Sequence, residues 1–326
     1  MAAQNTPKAL INALNFLTAP ASPQIEGLPE TEKTHAFKMR DLLRDKNVVG
    51  IGISNKVTND KAVDEPVLCF YVEKKLPISF LGENPLIPPV LALPSSSAVF
   101  TDVKEIGRFQ PDAANIRNKP ISSGYSVGHS EVKAGTVGAI VQKKGKKYIL
   151  SNSHVLANSG TGKAGDDLLY PGPADHGTKV GKLDSFVPFV TGGAFVNKFD
   201  AALGKIDDDK LSEVDYAIYG AKVPFDTIEP ARGMSVTKKG RTTDITTAKV
   251  VDVHFRFVLE YSVGKVGYTN QVLCERYTDG GDSGSIVVDV DSGKIVGLHF
   301  ASANGGSVFS PIGPIIKALK FQFSPT

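Results

Sequence analysis

The sequence predicts a mostly β fold in which two β-barrels follow a small N-terminal α+β module. Short strand-like runs separated by glycine fill residues 120–326, and a region of about 200 residues is enough for two barrels of about six strands each. The composition of the sequence changes near residue 120, where a proline- and serine-rich stretch ends, and we place a domain boundary there. At 326 residues, the whole chain is also too long for one small domain.

The first 28 residues are predicted to form a flexible tail or an amphipathic helix. Their apolar run is interrupted by Asn12 and Asn15 and follows a single lysine, which is not the pattern of a signal peptide. The chain also lacks the stretch of about eighteen apolar residues that a membrane-spanning helix needs. We therefore expect no contact with a membrane.

Residues 29–119 are predicted to form the N-terminal module. Apolar side chains recur at helical spacing within 29–47, which predicts one amphipathic helix. The β-rich runs at 48–54 and 66–76 predict two strands of a small sheet, joined by a polar connection. Prolines and serines are frequent in 77–125, where we expect extended loops.

Residues 120–326 are predicted to hold the double barrel, with a short closing helix at 314–321. The strand-like runs, in chain order, are GTVGAIVQ, KYILSNSHVL, TKVGKL, DAALGKI, SVTKKG, KVVDVHFRF, NQVLCERY, GSIVVDV and KIVGLHFA. The basic run KKGKK at 143–147 predicts a polar hairpin tip. Because the net charge is only +3 and the other basic residues are scattered, we expect no nucleic-acid partner.

The two cysteines predict the cellular compartment. Cys69 and Cys274 lie far apart in apolar strand-like runs, which favours buried thiols over a disulfide framework. Buried thiols without disulfides are typical of a reducing compartment. We therefore expect a cytoplasmic protein.

The most unusual segment is TDGGDSGS at 278–285, which lies between two strand-like runs and has no bulky side chain. Glycines adopt backbone conformations that are closed to other residues, so Gly280 and Gly281 can turn successive N–H groups toward one point. Such a point binds an anion, for example the alkoxide that forms when a nucleophile adds to a carbonyl. The N–H groups of Gly281 and Ser283 are the predicted donors.

A serine nucleophile also needs a base and a carboxylate that orients the base. Among six histidines, His154 is distinctive because YILSNSHVLA places it where an apolar strand breaks into small polar residues. Asp200, in NKFDAALGKI, begins a short apolar strand and is the favoured carboxylate. Asp215, in VDYAIYG, begins a similar strand and remains the alternative.

The motifs SNSHVL, FDAAL and GDSGS resemble the His, Asp and Ser motifs of the chymotrypsin-like serine peptidases. They occur in that chain order, whereas α/β-hydrolases and subtilisins use other orders. The resemblance covers roughly residues 120–321. It implies a chymotrypsin-like double β-barrel, with the active site between the barrels.

The same resemblance implies a serine-type endopeptidase that acts on protein or peptide substrates through an acyl-enzyme. Ser283 is then the nucleophile, His154 the general base and acid, and Asp200 its orienting partner, and no cofactor or metal is expected. Two alternatives stay open: a catalytically weak peptide-binding or scaffold protein on the double barrel, and an esterase on the same fold.

The residues around the serine motif also suggest a substrate preference. Tyr277 stands where trypsin-like enzymes carry an acid, so cleavage after Lys or Arg is not supported. Thr278 and His299 resemble the pair that meets a Glu or Gln side chain in glutamyl endopeptidases and picornaviral main proteases. A hydroxyl and an imidazole N–H both donate to a carboxylate or an amide oxygen. A core histidine without contact to substrate is the alternative for His299.

The N-terminal module resembles, more loosely, that of bacterial cytoplasmic trypsin-like proteins related to the plant narrow-leaf protease. The runs that carry this likeness are VVGIGIS, LCFYVEKKLP and TDV, within residues 48–103. The module is expected to shield the cleft, dock a regulatory partner or brace the barrel. No junction that would release an Ile or Val N-terminus precedes the barrels, so activation by removal of a peptide is not predicted. The site is then permanently formed or switched by another event.

Overall fold

The computed structural model describes residues 6–19, 30–58, 61–76, 86–92, 98–108 and 120–323. Most of the predicted loop region and part of the predicted N-terminal tail lie outside these ranges. Within them the chain is mostly β, which confirms the predicted fold class. The described helices include none with the length and apolarity required to cross a membrane.

The described α-helices are α1 (Lys8–Thr18), α2 (Glu30–Asp41), α3 (Ser153–Leu156) and α4 (Ile312–Leu319). Short 3-10 helices span Leu42–Arg44, Asn158–Gly160, Pro173–Asp175 and Asp208–Glu213. α1 is amphipathic, and its leucines pack into a core cluster with strands of the N-terminal module. α4 lies two residues earlier than predicted, between Pro311 and a left-handed Lys320 that ends it.

The described strands are β1 (Val48–Thr58), β2 (Lys61–Val72), β3 (Val90–Leu91), β4 (Val99–Glu105), β5 (Ser126–His129), β6 (Gly135–Thr136), β7 (Ala139–Lys143), β8 (Lys146–Ser151), β9 (Asp167–Tyr170), β10 (Thr178–Phe186), β11 (Phe195–Asn197), β12 (Ala202–Ile206), β13 (Ser235–Gly240), β14 (Asp244–Tyr261), β15 (Gly264–Cys274), β16 (Ile286–Asp289), β17 (Ile295–Ala303), β18 (Gly306–Pro311) and β19 (Gln322–Phe323). They form two sheets. One has eight strands in the order β19-β7-β8-β12-β10-β9-β5-β6, and the other has eleven in the order β11-β15-β18-β17-β16-β13-β14-β1-β2-β4-β3.

The predicted hairpin tip at KKGKK is confirmed as the turn between β7 and β8. Lys144 and Gly145 both have positive φ, at 49° and 74°, as the tight two-residue turn of a twisted hairpin requires. The hairpin belongs to the eight-stranded sheet. It leads directly into α3, which carries His154.

The long strand β14 joins the N-terminal strands to the barrel. It pairs with β15 on one side and with β1 on the other, so β1, β2, β4 and β3 continue the barrel sheet across the predicted boundary near residue 120. β1 and β2 are longer than predicted, because their polar ends at 55–58 and 61–65 are paired with each other. The division of the chain into domains stays a prediction.

The predicted loop region also contains a strand that the sequence analysis missed. β4 pairs in parallel with β2, although its sequence, VFTDVKE, is largely polar. One face of β4 contacts water, so its polar residues do not prevent strand formation.

One hydrophobic cluster spans the junction of module and barrel. It includes Cys69 and Tyr71 from β2, Phe255 and Phe257 from β14, and Tyr268 from β15, all of them buried. Both cysteines of the chain are free and buried, as predicted. The aromatic residues of this cluster extend from the N-terminal module to the candidate active site.

Candidate active site

The pairing of β8 with β12 brings His154 and Asp200 together. Ala202 lies opposite Ser151, so the residues just before β12 run beside those just after β8. The His154 Nδ1 atom lies 2.5 Å from Asp200 Oδ2, and both side chains are buried. Asp215, the alternative carboxylate, instead contacts Ser122 and the N–H of Ala217.

Four donors surround the fully buried Asp200 carboxylate. The N–H groups of Ser153 and His154 donate to Oδ1 at 2.6 and 3.2 Å, because the first turn of α3 points its free N–H groups at this oxygen. The Tyr261 hydroxyl donates to Oδ2 at 2.9 Å, beside the imidazole. These bonds fix the carboxylate and leave its second oxygen facing His154.

The second ring nitrogen of His154 differs from the first in its hydrogen bonding. Among the described residues, His154 Nε2 has no hydrogen-bond partner, although the atom is buried. Because Nδ1 faces a carboxylate, the tautomer with its proton on Nδ1 leaves a lone pair on Nε2. The ring is therefore held in the orientation of a general base.

Ser283 lies in the loop between β15 and β16 and is fully buried. Its Oγ donates to the carbonyl of Phe300 at 3.3 Å, not to His154. The loop nevertheless packs against β6 and close to α3, the helix that carries His154. The Thr136 N–H donates to the Ser283 carbonyl at 2.8 Å, and a Cβ added to Gly135 would contact both Val155 and that carbonyl.

Gly281 and Gly284 shape the serine loop, with φ values of 100° and 99°. At Gly284 a side chain would also collide with Ser151, so only glycine fits there. Among the described residues, the N–H groups of Gly281 and Ser283 make no hydrogen bond. Their role as the donors of an oxyanion hole stays a prediction.

The acid before the serine anchors the loop. Asp282 is buried and accepts bonds from the N–H groups of Thr242, Thr243 and Asp279. The Lys238 ammonium lies 3.3 Å from its Oδ2, with both side chains fully buried. Burial raises the pKa of Asp282, but Lys238 and these hydrogen bonds outweigh the effect and lower it below its ordinary value.

The predicted substrate-binding residues lie close together next to the serine loop. The rings of Tyr277 and His299 are 6.1 Å apart, and His299 is fully buried. Thr278 Oγ1 lies 2.6 Å from the hydroxyl of Ser307, which also accepts the Tyr277 N–H at 3.1 Å. When the Ser307 hydroxyl donates this hydrogen bond, the Thr278 hydroxyl can donate a hydrogen bond to a substrate.

Three residues of this region had no signal in the sequence. Tyr261, Lys238 and Ser307 sit on ordinary strands, without a motif around them. Their side-chain partners in the site, which are Asp200, Asp282 and Thr278, lie far away along the chain. Their contribution appears only from the three-dimensional arrangement.

No family model matches the chain, and no curated protein matches it. Similar solved structures include a glutamic acid specific serine protease, 18% identical, which covers 63% of this chain and 100% of its own with a TM-score of 0.45. Protease A of Thermobifida fusca is 18% identical over 62% of this chain and 97% of its own, with a TM-score of 0.44. A chymotrypsin of Cellulomonas bogoriensis is 15% identical over 63% and 99%, with a TM-score of 0.43.

All three TM-scores are below 0.5, so these similarities say nothing about the role of any residue in the chain. The chain itself is mostly β and forms two sheets, and the chymotrypsin-like double barrel stays the expectation from the sequence motifs. The assignment of chemistry therefore depends on the geometry of this chain alone.

Proposed function

We propose that the chain is a serine endopeptidase that hydrolyses peptide bonds through an acyl-enzyme. Ser283 is the nucleophile, His154 the general base and acid, Asp200 the residue that orients His154, and Gly281 and Ser283 provide the oxyanion hole. The observation that carries the proposal is the buried His154–Asp200 pair, in which His154 Nε2 has no hydrogen-bond partner among the described residues. The serine loop packs close to Val155, the residue that follows His154.

The first half of the reaction forms the acyl-enzyme. Ser283 Oγ leaves the Phe300 carbonyl and donates to His154 Nε2, which takes the proton as Oγ adds to the substrate carbonyl. The resulting oxyanion binds the N–H groups of Gly281 and Ser283, and each such donor lowers the barrier by about 2.7–4 kcal/mol. His154 then gives the proton to the leaving amine, and the C–N bond breaks.

Water completes the reaction. His154 Nε2 takes a proton from the water as its oxygen adds to the acyl carbon, and the same two N–H groups stabilise the second oxyanion. Collapse breaks the bond to Ser283 Oγ, which regains its proton from His154. The substrate leaves as a free carboxylic acid, and the enzyme returns to its starting state.

A fluorophosphonate probe tests the nucleophile directly. We expect intact-mass analysis to show one adduct on the wild-type protein and none on Ser283→Ala. Ser285→Ala is the matched control, since this hydroxyl lies in the same loop but donates to the Asp282 carbonyl. An adduct that persists in Ser283→Ala, or none on the wild type, would reject the assignment.

One observation favours the alternative of a catalytically weak scaffold. Ser283 is fully buried and its hydroxyl is bonded to Phe300, so a substrate reaches Oγ only after local rearrangement. A protein of this alternative class binds peptides but hydrolyses neither peptides nor esters. Hydrolysis of an ester alone, without any peptide cleavage, would instead indicate the esterase.

The proposed preference is for Glu or Gln before the cut. The support is the cluster of Thr278, Ser307 and His299, which offers hydroxyl and imidazole donors to an anionic or amide side chain. Tyr277 closes the same side of the cluster with an apolar ring. The cluster itself contains no acid that would bind Lys or Arg.

A peptide series that differs only before the cut tests this preference. We expect Glu and Gln peptides to be cleaved fastest, and Thr278→Val to reduce the advantage of Glu about 10- to 150-fold, since one hydrogen bond to a charged group is worth about 1.5–3 kcal/mol. Thr246→Val is the control, because its hydroxyl donates only to the Tyr277 carbonyl. Cleavage chiefly after Leu, Phe or Arg would reject the preference.

We also propose that the N-terminal module braces the barrel, and that the protein is cytoplasmic with a restricted target. Support for bracing is the pairing of β1 with β14 and the bond from Arg256 of β14 to Asn15 of α1. Deletion of residues 1–115 should then reduce the yield of folded protein. A rise in activity after this deletion would instead indicate an inhibitory module, and the docking of a regulatory partner and the likeness to narrow-leaf-type proteins stay predictions.

A further inference from the structure

Tyr261 occupies an unusual place for a tyrosine, since its hydroxyl enters the hydrogen-bond shell of Asp200. It ends β14, at the tip of the hairpin that β14 forms with β15. Its hydroxyl donates to Asp200 Oδ2, the same oxygen that faces His154 Nδ1. The imidazole and the phenol therefore share one carboxylate oxygen.

A second tyrosine fixes the direction of these hydrogen bonds. Tyr268 Oη lies 2.9 Å from Tyr261 Oη, and both hydroxyls are buried. A carboxylate only accepts hydrogen bonds, so the Tyr261 hydroxyl donates a hydrogen bond to Asp200 and accepts one from the Tyr268 hydroxyl. Burial, followed by the charge of Asp200, raises the pKa of both hydroxyls, which keeps both tyrosines protonated as donors.

The two tyrosines are held by packing as well as by hydrogen bonds. Phe189 stacks on Tyr261 with ring centroids 4.8 Å apart, and Phe257 stacks on Tyr268 at 5.6 Å. The imidazole of His154 lies 5.8 Å from the Tyr261 ring. The Tyr261 phenol is therefore a buried donor that packing holds in place.

We propose that Tyr261 is a positioning residue of the active site, which holds the Asp200 carboxylate against His154 and limits how tightly His154 retains its proton. This deepens the proposed peptidase function and rests on it. A donor on Oδ2 withdraws charge from the oxygen that binds the imidazole, so the imidazole releases a proton more readily. Without the donor, the carboxylate is also free to rotate.

The inference predicts a specific pattern for Tyr261→Phe. We expect kcat to fall about 10- to 100-fold, the scale of a displaced catalytic group, with KM unchanged because Tyr261 does not contact substrate. The acid limb of the kcat/KM profile should move to higher pH. The charged and titratable groups in contact with this imidazole are Asp200 and Tyr261, with Tyr268 behind them.

Tyr71→Phe is the matched control. Tyr71 is fully buried in the same hydrophobic cluster, and its hydroxyl donates to the carboxylate of Asp252 at 3.3 Å, which is a different aspartate. The control removes the same atom from the same core without touching Asp200. We expect its kcat and pH profile to equal those of the wild type.

Titration of the His154 ring protons by NMR gives a readout that needs no turnover. The ring titration should move to higher pH in Tyr261→Phe and stay in place in Tyr71→Phe. If Tyr261→Phe does not fold, Tyr268→Phe replaces it, with a smaller movement in the same direction because Tyr261 then loses its own donor.

The two proposals fail in different ways. A wild-type protein that does not react with fluorophosphonate rejects the peptidase, while the ring titration still decides on Tyr261. A reactive wild type whose Tyr261→Phe variant keeps the same kcat, pH profile and ring titration overturns the positioning role alone. An equal change in Tyr71→Phe would also overturn it, since the effect would then come from packing.

Discussion

The molecule buries two aspartates beneath tyrosine hydroxyls, one at the candidate active site and one where the N-terminal strands meet the barrel. Asp200 accepts from Tyr261 at 2.9 Å and from two backbone N–H groups. Asp252 accepts from Tyr71 at 3.3 Å and from the N–H of His254. Both carboxyl groups are fully buried.

The difference is the histidine. His154 contacts Asp200 and can carry a positive charge beside it, whereas no cationic side chain described in the structure forms an ion pair with Asp252. Burial raises the pKa of Asp252 to about 7, since desolvation outweighs its hydrogen bonds. A buried carboxylate suits catalysis only where a partner balances its charge, and at Asp252 the charge of Lys104 does not outweigh the effect of burial.

The largest expected effect separates the two aspartates by activity. Asp200→Asn should lower kcat about 10⁴-fold, because an amide at this position favours the wrong histidine tautomer. Asp252→Asn should leave kcat unchanged. Ester hydrolysis by both variants, each at matched concentration of folded protein, checks the comparison, and equal losses in both would remove the distinction.

A third buried aspartate, Asp282, differs from both because the Lys238 ammonium is its partner. Lys238→Met leaves Asp282 buried without its ammonium, which should cost about 3–5 kcal/mol of stability. The serine loop depends on Asp282, so fluorophosphonate labelling of Ser283 should also slow. Lys239→Met is the control on the same strand, and equal denaturant midpoints for the two variants would contradict this anchoring role.

The smallest effect concerns pH and stability. Between about pH 4 and 7 the unfolded chain ionises Asp252 while the folded protein keeps it protonated, so its contribution to stability falls as the pH rises and is constant above about 7. Asp252→Asn should remove this fall and be more stable than the wild type by about 1–4 kcal/mol at pH 8. Denaturant unfolding at pH 4 and pH 8 measures it, and a stability difference independent of pH would contradict it.

The sequence was sufficient for those parts of the site that depend on local segments. The His154 and Asp200 motifs each sit at the end of a short strand, and β8 and β12 are neighbours in one sheet, so the order of motifs was informative. Glycines mark the serine loop, because their backbone conformations are closed to other residues. The hairpin tip at KKGKK follows from equally local rules.

Side-chain contacts between residues far apart along the chain could not be predicted. Tyr261 meets Asp200 only because the long β14–β15 hairpin reaches the first sheet, and Lys238 meets Asp282 only through the packing of β13 beside the serine loop. β4 was missed because four of its seven residues are polar. The bond from Ser283 to Phe300 is a choice of side-chain rotamer, and no sequence pattern specifies it.

The proposed peptidase requires that His154 take the proton of Ser283. The most direct test is the second-order rate of fluorophosphonate labelling at Ser283 as a function of pH, in the wild type and in His154→Gln. We expect the wild-type rate to rise with pH as the imidazole loses its proton, and the rate of the variant to be at least about 10³-fold lower and free of that rise. Equal rates and equal pH dependence in the two proteins would contradict it.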